Sequence, residues 1–231
     1  MSVFDESEEV AAAFARLATE LHGRPGVEET VEAVLQFTLQ AVDCTHAGVV
    51  LARRGGLSLT GAVTDPVVEQ ADQLQLEHGE GPALTAIAGG AESVYIADTT
   101  IDQRWPAWSP KAAALGLRSV LALRLHADGI TLGVLELFQT EPAGFDTDDD
   151  AVAHILARHA SIAVAVAREE ASLRQAVDAR KLVGQAQGIL MERFNVDADR
   201  AFAILRRYSQ DNNVKLRDVA QRLIDTRELP R

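Results

Sequence analysis

The sequence of 231 residues contains a single cysteine, Cys44. One thiol excludes an internal disulfide and a thiolate-rich metal site, and it agrees with a reducing compartment. The six histidines lack the i, i+4 pair that a zinc site requires. No uncharged apolar run reaches the roughly 18 residues of a membrane-spanning helix. We therefore expect no metal site and no membrane span.

The sequence also offers little for catalysis or secretion. Cys44 lies two residues from His46, yet no third group is evident to orient the pair. The turn at residues 79–82 (GEGP) is too short for a phosphate-cradling loop. Residues 1–9 are acidic, whereas a secretory signal begins with positive charge and then an apolar core. We therefore expect a cytoplasmic protein that is not an enzyme.

Charge divides unevenly along the chain. Residues 1–171 hold 10 Lys+Arg and 26 Asp+Glu, whereas residues 172–231 hold 12 and 8, which gives net charges of −16 and +4. The acidic part repels polyanions, and the basic part permits contact with nucleic acid. A solvated helical surface would carry the same charge, so charge alone leaves both interpretations open.

Hydrophobic periodicity predicts an α+β fold for the first two thirds of the chain. Apolar residues at helical spacing predict an N-terminal helix within residues 1–25 and a second helix over 31–42. Two β-hairpins are expected at 47–63 and 117–138, with a single strand at 94–97 between them. This order predicts a largely antiparallel sheet with helices on one side.

From residue 146 to residue 194 the pattern is continuously helical. We expect residues 155–160 to pack on the sheet and the helix to leave the sheet beyond them. The spacing of the apolar residues predicts a parallel dimeric coiled coil over 161–180, within a connecting helix at 150–180. The alternative is a single amphipathic helix. Large apolar side chains recur at spacings of seven and four residues and form the predicted dimer seam: Ile155, Ile162, Val166 and Leu173.

The end of the chain predicts a small bundle of three helices at residues 172–231. A break at residues 195–197 starts a second helix, and a further break at 210–213 precedes a third. Basic side chains fall outside the apolar stripes of these helices. Such a face can bind phosphates through ion pairs and counterion release, or it can simply keep the surface soluble.

Residues 26–168 resemble a GAF domain, which is a sensory fold. The turn at 79–82 is similar to the one in actinobacterial members. Ala83 stands where related domains often have a cysteine, and no heme, bilin or metal ligand set is identifiable, so the resemblance implies a small-molecule ligand but no particular cofactor. The matching segments are 96–99 (IADT), 116–121 (GLRSVL), 132–137 (LGVLEL) and 144–146 (GFD).

The C-terminal stretch resembles an ANTAR domain more specifically. That family of transcription antitermination regulators binds RNA through a three-helix bundle. Gln187 is a departure, because many members have a lysine there. The matching residues are Arg180, 184–186 (GQA), 188–193 (GILMER), 201–202 (AF), 205–206 (LR), 209–210 (SQ) and 215–220 (KLRDVA).

The two resemblances together imply a signal-responsive antitermination regulator that binds hairpin RNA. A coiled-coil homodimer would place two bundles side by side for paired hairpins. A DNA-binding regulator and a protein-interaction scaffold acting through the coiled coil remain alternatives. The candidate RNA contacts are the basic residues within or beside the family-like motifs: Arg180, Lys181, Arg193, Arg206, Arg207, Lys215 and Arg217.

Overall fold

The computed structural model describes residues 26–53, 56–57, 61–89 and 91–228. The helix predicted within residues 1–25 lies outside the described residues. The chain separates into two compact units, one ending at Arg168 and the other beginning at Glu169.

The first unit is built on an antiparallel sheet, as the sequence predicts. Its strands follow the order β2-β1-β6-β5-β4, and β3 also pairs with β1. Both predicted hairpins form, since β5 pairs with β6 along their lengths and β1 pairs with both β2 and β3. The strands are β1 His46–Arg53, β2 Gly56–Leu57, β3 Ala62–Val63, β4 Ser93–Ile96, β5 Ser119–Ala127 and β6 Ile130–Gln139.

Helices cover both faces of this sheet, so the prediction of helices on one side was wrong. Residues Leu121 and Leu123 of β5 join one apolar core, and the alternate residues Val120 and Ala122 join another. Successive strand residues point to opposite faces, so a continuous apolar run requires cover on both. The helices are α1 Val27–Ala41, α2 Pro66–His78, α3 Pro82–Ile87, α4 Ser109–Ala114 and the first part of α5 Thr147–Phe194.

The turn between α2 and α3 depends on two glycines. Gly79 ends α2 in the left-handed conformation with φ 66°, which favours a residue without a Cβ. Gly81 has φ 144°, and a Cβ there would lie 2.4 Å from the Gln75 side-chain oxygen. Gln75 Oε1 in turn accepts a hydrogen bond from Ala83 N at 2.8 Å. The GEGP turn is therefore shaped around a buried glutamine.

Helix α5 stays on the sheet further than the sequence predicted. Ala163, Val164 and Ala167 are buried in the core beneath it, well beyond residue 160. The Arg168 guanidinium then donates to the carbonyls of Ala52 and Leu132, each at 2.9 Å. The expectation that the helix leaves the sheet after residue 160 was wrong, because small residues and this arginine extend the contact to residue 168.

By length and composition, α5 is the one helix in the described ranges that could span a membrane. Its most apolar 18-residue window has a mean hydropathy of 1.3, and 44% of that window is buried within the protein. Side chains such as Leu156 and Val164 account for part of this burial, since they pack against the sheet. Core helices of soluble proteins pass the same test, so it is weak evidence for a membrane span.

The second unit forms the three helices that the sequence predicts. The end of α5 packs with α6 Ala198–Asp211 and α7 Leu216–Thr226 around a core that includes Leu190, Leu205 and Leu223. Asp197 caps α6 by accepting from Arg200 N at 2.8 Å. The bundle leaves its charged residues outside, which supplies the candidate surface described next.

Candidate nucleic-acid interface and sensory domain

All seven basic residues predicted to contact RNA are exposed on the second unit. Three of them engage other groups of the bundle. Arg207 Nε lies 3.5 Å from Asp211 Oδ2, and Arg217 Nε lies 3.1 Å from Asp218 Oδ1. These pairs are solvated and weak, so both arginines stay available to a phosphate at small cost.

Arg193 has a structural bond within the bundle. Its guanidinium donates to the carbonyl oxygen of Arg227 at 2.5 Å and lies over the Phe194 ring at 5.7 Å. The bond joins the end of α5 to the end of α7. Arg193 is therefore held at the opposite end of α7 from Lys215 and Arg217, and α7 is about 16 Å long at 1.5 Å per residue.

The other four candidates have no ion pair within the part of the chain that the structure describes. Arg180 and Lys181 lie on α5, just before the buried residues of the bundle core. Arg206 and Lys215 lie on either side of the turn between α6 and α7, where Ser209 Oγ donates to the Val214 carbonyl at 2.6 Å. Unpaired cations are the groups that gain most from a phosphate partner, because no internal pair must be broken first.

Gln187 contributes to the packing of α6. Its amide donates to the carbonyl of Ala198 at 3.1 Å, at the start of α6. A lysine at this position could make the same hydrogen bond and add a positive charge. The departure from the family pattern therefore removes a charge without removing the contact.

The side chains of the predicted dimer seam are exposed along α5. The exposed fractions of Ile155, Ile162, Val166 and Leu173 are 42, 51, 39 and 60%. Val177, four residues after Leu173, is 65% exposed and extends the row. The sequence analysis missed Val177, although the four-residue step after Leu173 could have revealed it.

Within the first unit, residues of the family-like motifs bind one another. Arg118 donates to Asp98 from Nη2 at 2.9 Å and from Nε at 3.2 Å. Asp98 also accepts from the backbone and hydroxyl of Thr100. The Arg118 hydrogen bonds and these Thr100 donors hold the pKa of Asp98 well below its usual range. The IADT and GLRS segments are thus fastened together by an ion pair.

The GEGP turn holds a second part of the first unit in place, namely the loop before α4. Glu80 Oε1 accepts from the backbone of Ala107 and Trp108, at 2.6 and 2.9 Å. The Trp108 indole donates to the Ala71 carbonyl at 3.0 Å and is fully buried. The turn therefore positions the loop that contains Ala107 and Trp108 over the sheet.

A buried polar cluster lies on the face of the sheet that Trp108 covers. Asp72, Gln75 and Glu136 are at most 3% exposed, and Gln75 Nε2 donates to Glu136 Oε1 at 2.9 Å. Burial and the neighbouring Glu136 charge raise the pKa of Asp72, and burial raises the pKa of Glu136. Both oxygens of Asp72 and Oε2 of Glu136 are buried without a hydrogen-bond partner among the described residues, so a proton on one of the two carboxyl groups reduces the cost of burying them.

Cys44 is not activated as a nucleophile. Burial and the charges of Asp43 and Asp149 raise the pKa of its thiol to about 12. Among the residues that the structure describes, no group of three or more His, Cys, Asp or Glu side chains is arranged to hold a metal ion.

The fold is shared with several solved structures. A domain of a putative two-component sensor histidine kinase from Sinorhizobium meliloti superposes with a TM-score of 0.55 at 18% identity, over 66% of this chain and 99% of that one. The GAF domain of a phosphoenolpyruvate-protein phosphotransferase from Coxiella burnetii gives 0.54 at 18%, over 71% and 96%. A free methionine-R-sulfoxide reductase from Neisseria meningitidis gives 0.53 at 17%, over 74% and 96%.

Family models account for both units. The GAF domain model matches residues 25–165, and the ANTAR domain model matches residues 171–224. No curated protein matches the chain significantly. Because the first match covers more than half of the sequence, the chain belongs to the GAF domain family; with the ANTAR domain that follows, it is a sensory regulator with an RNA-binding domain of the antitermination type.

Proposed function

We propose that this protein is a cytoplasmic, signal-responsive antitermination regulator that binds hairpin RNA through residues 172–231. The observation that carries the proposal is the unpaired charge at Arg180, Lys181, Arg206 and Lys215 on a small bundle with a net charge of +4. The rest of the chain carries −16 and would repel a polyanion. Phosphate contact is therefore expected at the C-terminal bundle and not elsewhere.

RNA is preferred over duplex DNA for a chemical reason. Five of the seven candidates are arginines, whose planar guanidinium can pair with phosphate bidentately and can stack on an unstacked base. Hairpin loops present such bases, whereas a DNA duplex keeps its bases stacked.

A homodimer completes the proposed RNA-binding unit. The exposed apolar row on α5 has the spacing of a parallel coiled coil, and an apolar row of this kind is stabilised when a second copy covers it. Two bundles joined in this way would raise the effective concentration of the second RNA contact.

The proposed role of the GAF domain is sensing rather than catalysis. Several solved GAF-like structures are enzymes by name, such as the reductase from Neisseria meningitidis. In this chain the one thiol has a pKa of about 12, so it carries almost no thiolate at neutral pH. We infer a binding role for this domain, with a small molecule as its signal.

Fluorescence anisotropy with the full chain tests the RNA proposal. A hairpin RNA and a duplex DNA of matched length are titrated at several salt concentrations. We expect tighter binding to the hairpin and a linear loss of log affinity with log salt concentration. Tighter binding to the duplex at the same salt would establish the DNA-binding alternative, and no binding to either would favour the protein-interaction scaffold.

A further inference from the structure

Phe194 is an exposed aromatic residue at the end of α5. Its exposed fraction is 52%. The second unit contains two other aromatic residues, Phe202 and Tyr208, and both are partly covered by the bundle. A ring that remains in water costs free energy, which is regained when a partner covers it. Phe194 is therefore the aromatic surface that this bundle offers to a partner.

An arginine is fixed beside this ring. The Arg193 guanidinium lies over the Phe194 ring, 5.7 Å from its centroid, and its bond to the Arg227 carbonyl ties it to the end of α7. A purely apolar partner would have to bury this charge without a counterion, which is unfavourable. A nucleotide satisfies both groups, since its base can stack on the ring and its phosphate can accept from the guanidinium.

Phe194 also lies in one row with two residues of the candidate RNA surface. Arg180, Gln187 and Phe194 follow one another at intervals of seven residues along α5. Residues seven apart lie within about 20° of each other around an α-helix. The row is about 21 Å long at 1.5 Å per residue. One side of α5 therefore carries a cation at one end and an aromatic ring at the other.

We propose that Phe194 stacks on an unpaired base in the loop of a hairpin RNA while Arg180 contacts a phosphate of the stem. This inference rests on the RNA binding proposed above and names the residue that distinguishes the loop from the paired stem. Stacking on an aromatic side chain requires a base that has left the helix, and a hairpin loop supplies it. Arg193 then lies beside the phosphate of the stacked nucleotide.

Fluorescence anisotropy of the full chain with two hairpins tests the proposal. The hairpins share one stem, and the loop consists of adenosines in the first and of abasic residues in the second. Phe194→Leu keeps an apolar side chain but removes the ring. It should weaken binding to the adenosine loop about five- to hundredfold and leave binding to the abasic loop unchanged. The slope of log affinity against log salt should not change, because no cation is lost.

Two further variants and a second measurement separate stacking from misfolding. Phe194→Trp keeps an aromatic ring and should retain the preference for the adenosine loop. Ile101→Ala removes a 75% exposed apolar side chain from the first unit and should leave both affinities unchanged. Photocrosslinking of the unchanged protein to a hairpin with 5-iodouridine in its loop should label Phe194, as mapped by mass spectrometry.

The outcomes distinguish this inference from the RNA proposal. If the unchanged protein binds neither hairpin, both are overturned. If it binds the hairpins and Phe194→Leu binds them equally well, stacking alone is overturned. Equal losses for the two loops, or crosslinks only at other residues, would also overturn stacking and leave RNA binding in place.

Discussion

Glu136 is fully buried beside Asp72, and both carboxyl groups have a raised pKa because burial disfavours their charged forms. The folded protein therefore holds protons that the unfolded chain releases above its ordinary carboxyl pKa of about 4. By linkage, the contribution of this pair to stability is complete below that pH and is lost as the pH rises.

Glu136→Gln should accordingly flatten the fall of stability with pH. The amide needs no proton and can still accept the Gln75 hydrogen bond. Between pH 5 and 8 the free energy of unfolding should decline less steeply than in the unchanged protein, by up to about 1.4 kcal/mol per pH unit for each proton. Urea denaturation, followed by the fluorescence of Trp105 and Trp108, measures the free energy of unfolding of the first unit, which contains both carboxyl groups. Glu77→Gln, at an exposed acid on α2, should leave the slope unchanged. Parallel curves for the Glu136 variant and the unchanged protein would contradict the prediction.

Ile162→Asp/Val166→Asp should convert the proposed dimer into monomers. The two side chains are 51 and 39% exposed, so the change should spare the core of each chain while placing like charges along the seam. Sedimentation velocity measures the outcome. Ser172→Asp/Gln175→Asp adds the same charge at exposed polar positions of α5 and should remain dimeric. A dimer that survives the seam variant would place the interface elsewhere.

Arg180→Ala/Lys181→Ala should weaken hairpin RNA binding at every sequence tested. Each lost phosphate contact should reduce the slope of log affinity against log salt by about 0.7–0.9. Anisotropy titrations at several salt concentrations give both values, and circular dichroism checks that the helices persist. The matched control, Arg104→Ala/Lys111→Ala, removes two charges from the first unit. Unchanged affinity and slope in a folded Arg180/Lys181 variant would show that these residues do not contact RNA.

Gln187→Lys should tighten RNA binding. The lysine can keep the contact with the Ala198 carbonyl or turn to a phosphate, and it supplies the charge that many ANTAR domains carry at this position. We expect a higher affinity and a salt slope that is larger by up to one contact. Gln187→Met removes the hydrogen bond without adding charge and separates the two effects. A lysine variant with the affinity of the unchanged protein would mean that this position does not face RNA.

Periodicity predicted the strands and the bundle because these segments bury alternating or helical rows of apolar residues. It could not reveal α4, since Ser109–Ala114 is a short helix of small residues without a distinct apolar stripe. Periodicity also placed the end of the contact between α5 and the sheet at residue 160, which is too early in the sequence. Ala163 and Ala167 are buried through close packing, and alanine gives a weak hydrophobic signal.

The polar interior was beyond sequence reasoning for a different reason. Asp72 and Glu136 are 64 positions apart, and only the packing of α2 on this face of the sheet brings them together. Glu136 stands in an LGVLEL motif, where its type alone suggests an outward-facing acid. The cleft that His126 and Arg158 line was missed likewise, because these residues come to one place only when α5 packs beside β5.

One face of helix α5 packs on the sheet, and the opposite face carries the proposed dimer seam. Mutations on the two faces should therefore have different effects in the cell. Substitutions at Ala160 or Val164 that enlarge or charge the sheet-facing side should lower the amount of folded protein in the cell, and growth at reduced temperature should restore it. Substitutions at Ile162 or Val166 should leave the amount of protein unchanged and impair assembly alone. A mutant library of this one helix should therefore sort into two phenotypic classes that alternate along the sequence with the helical repeat.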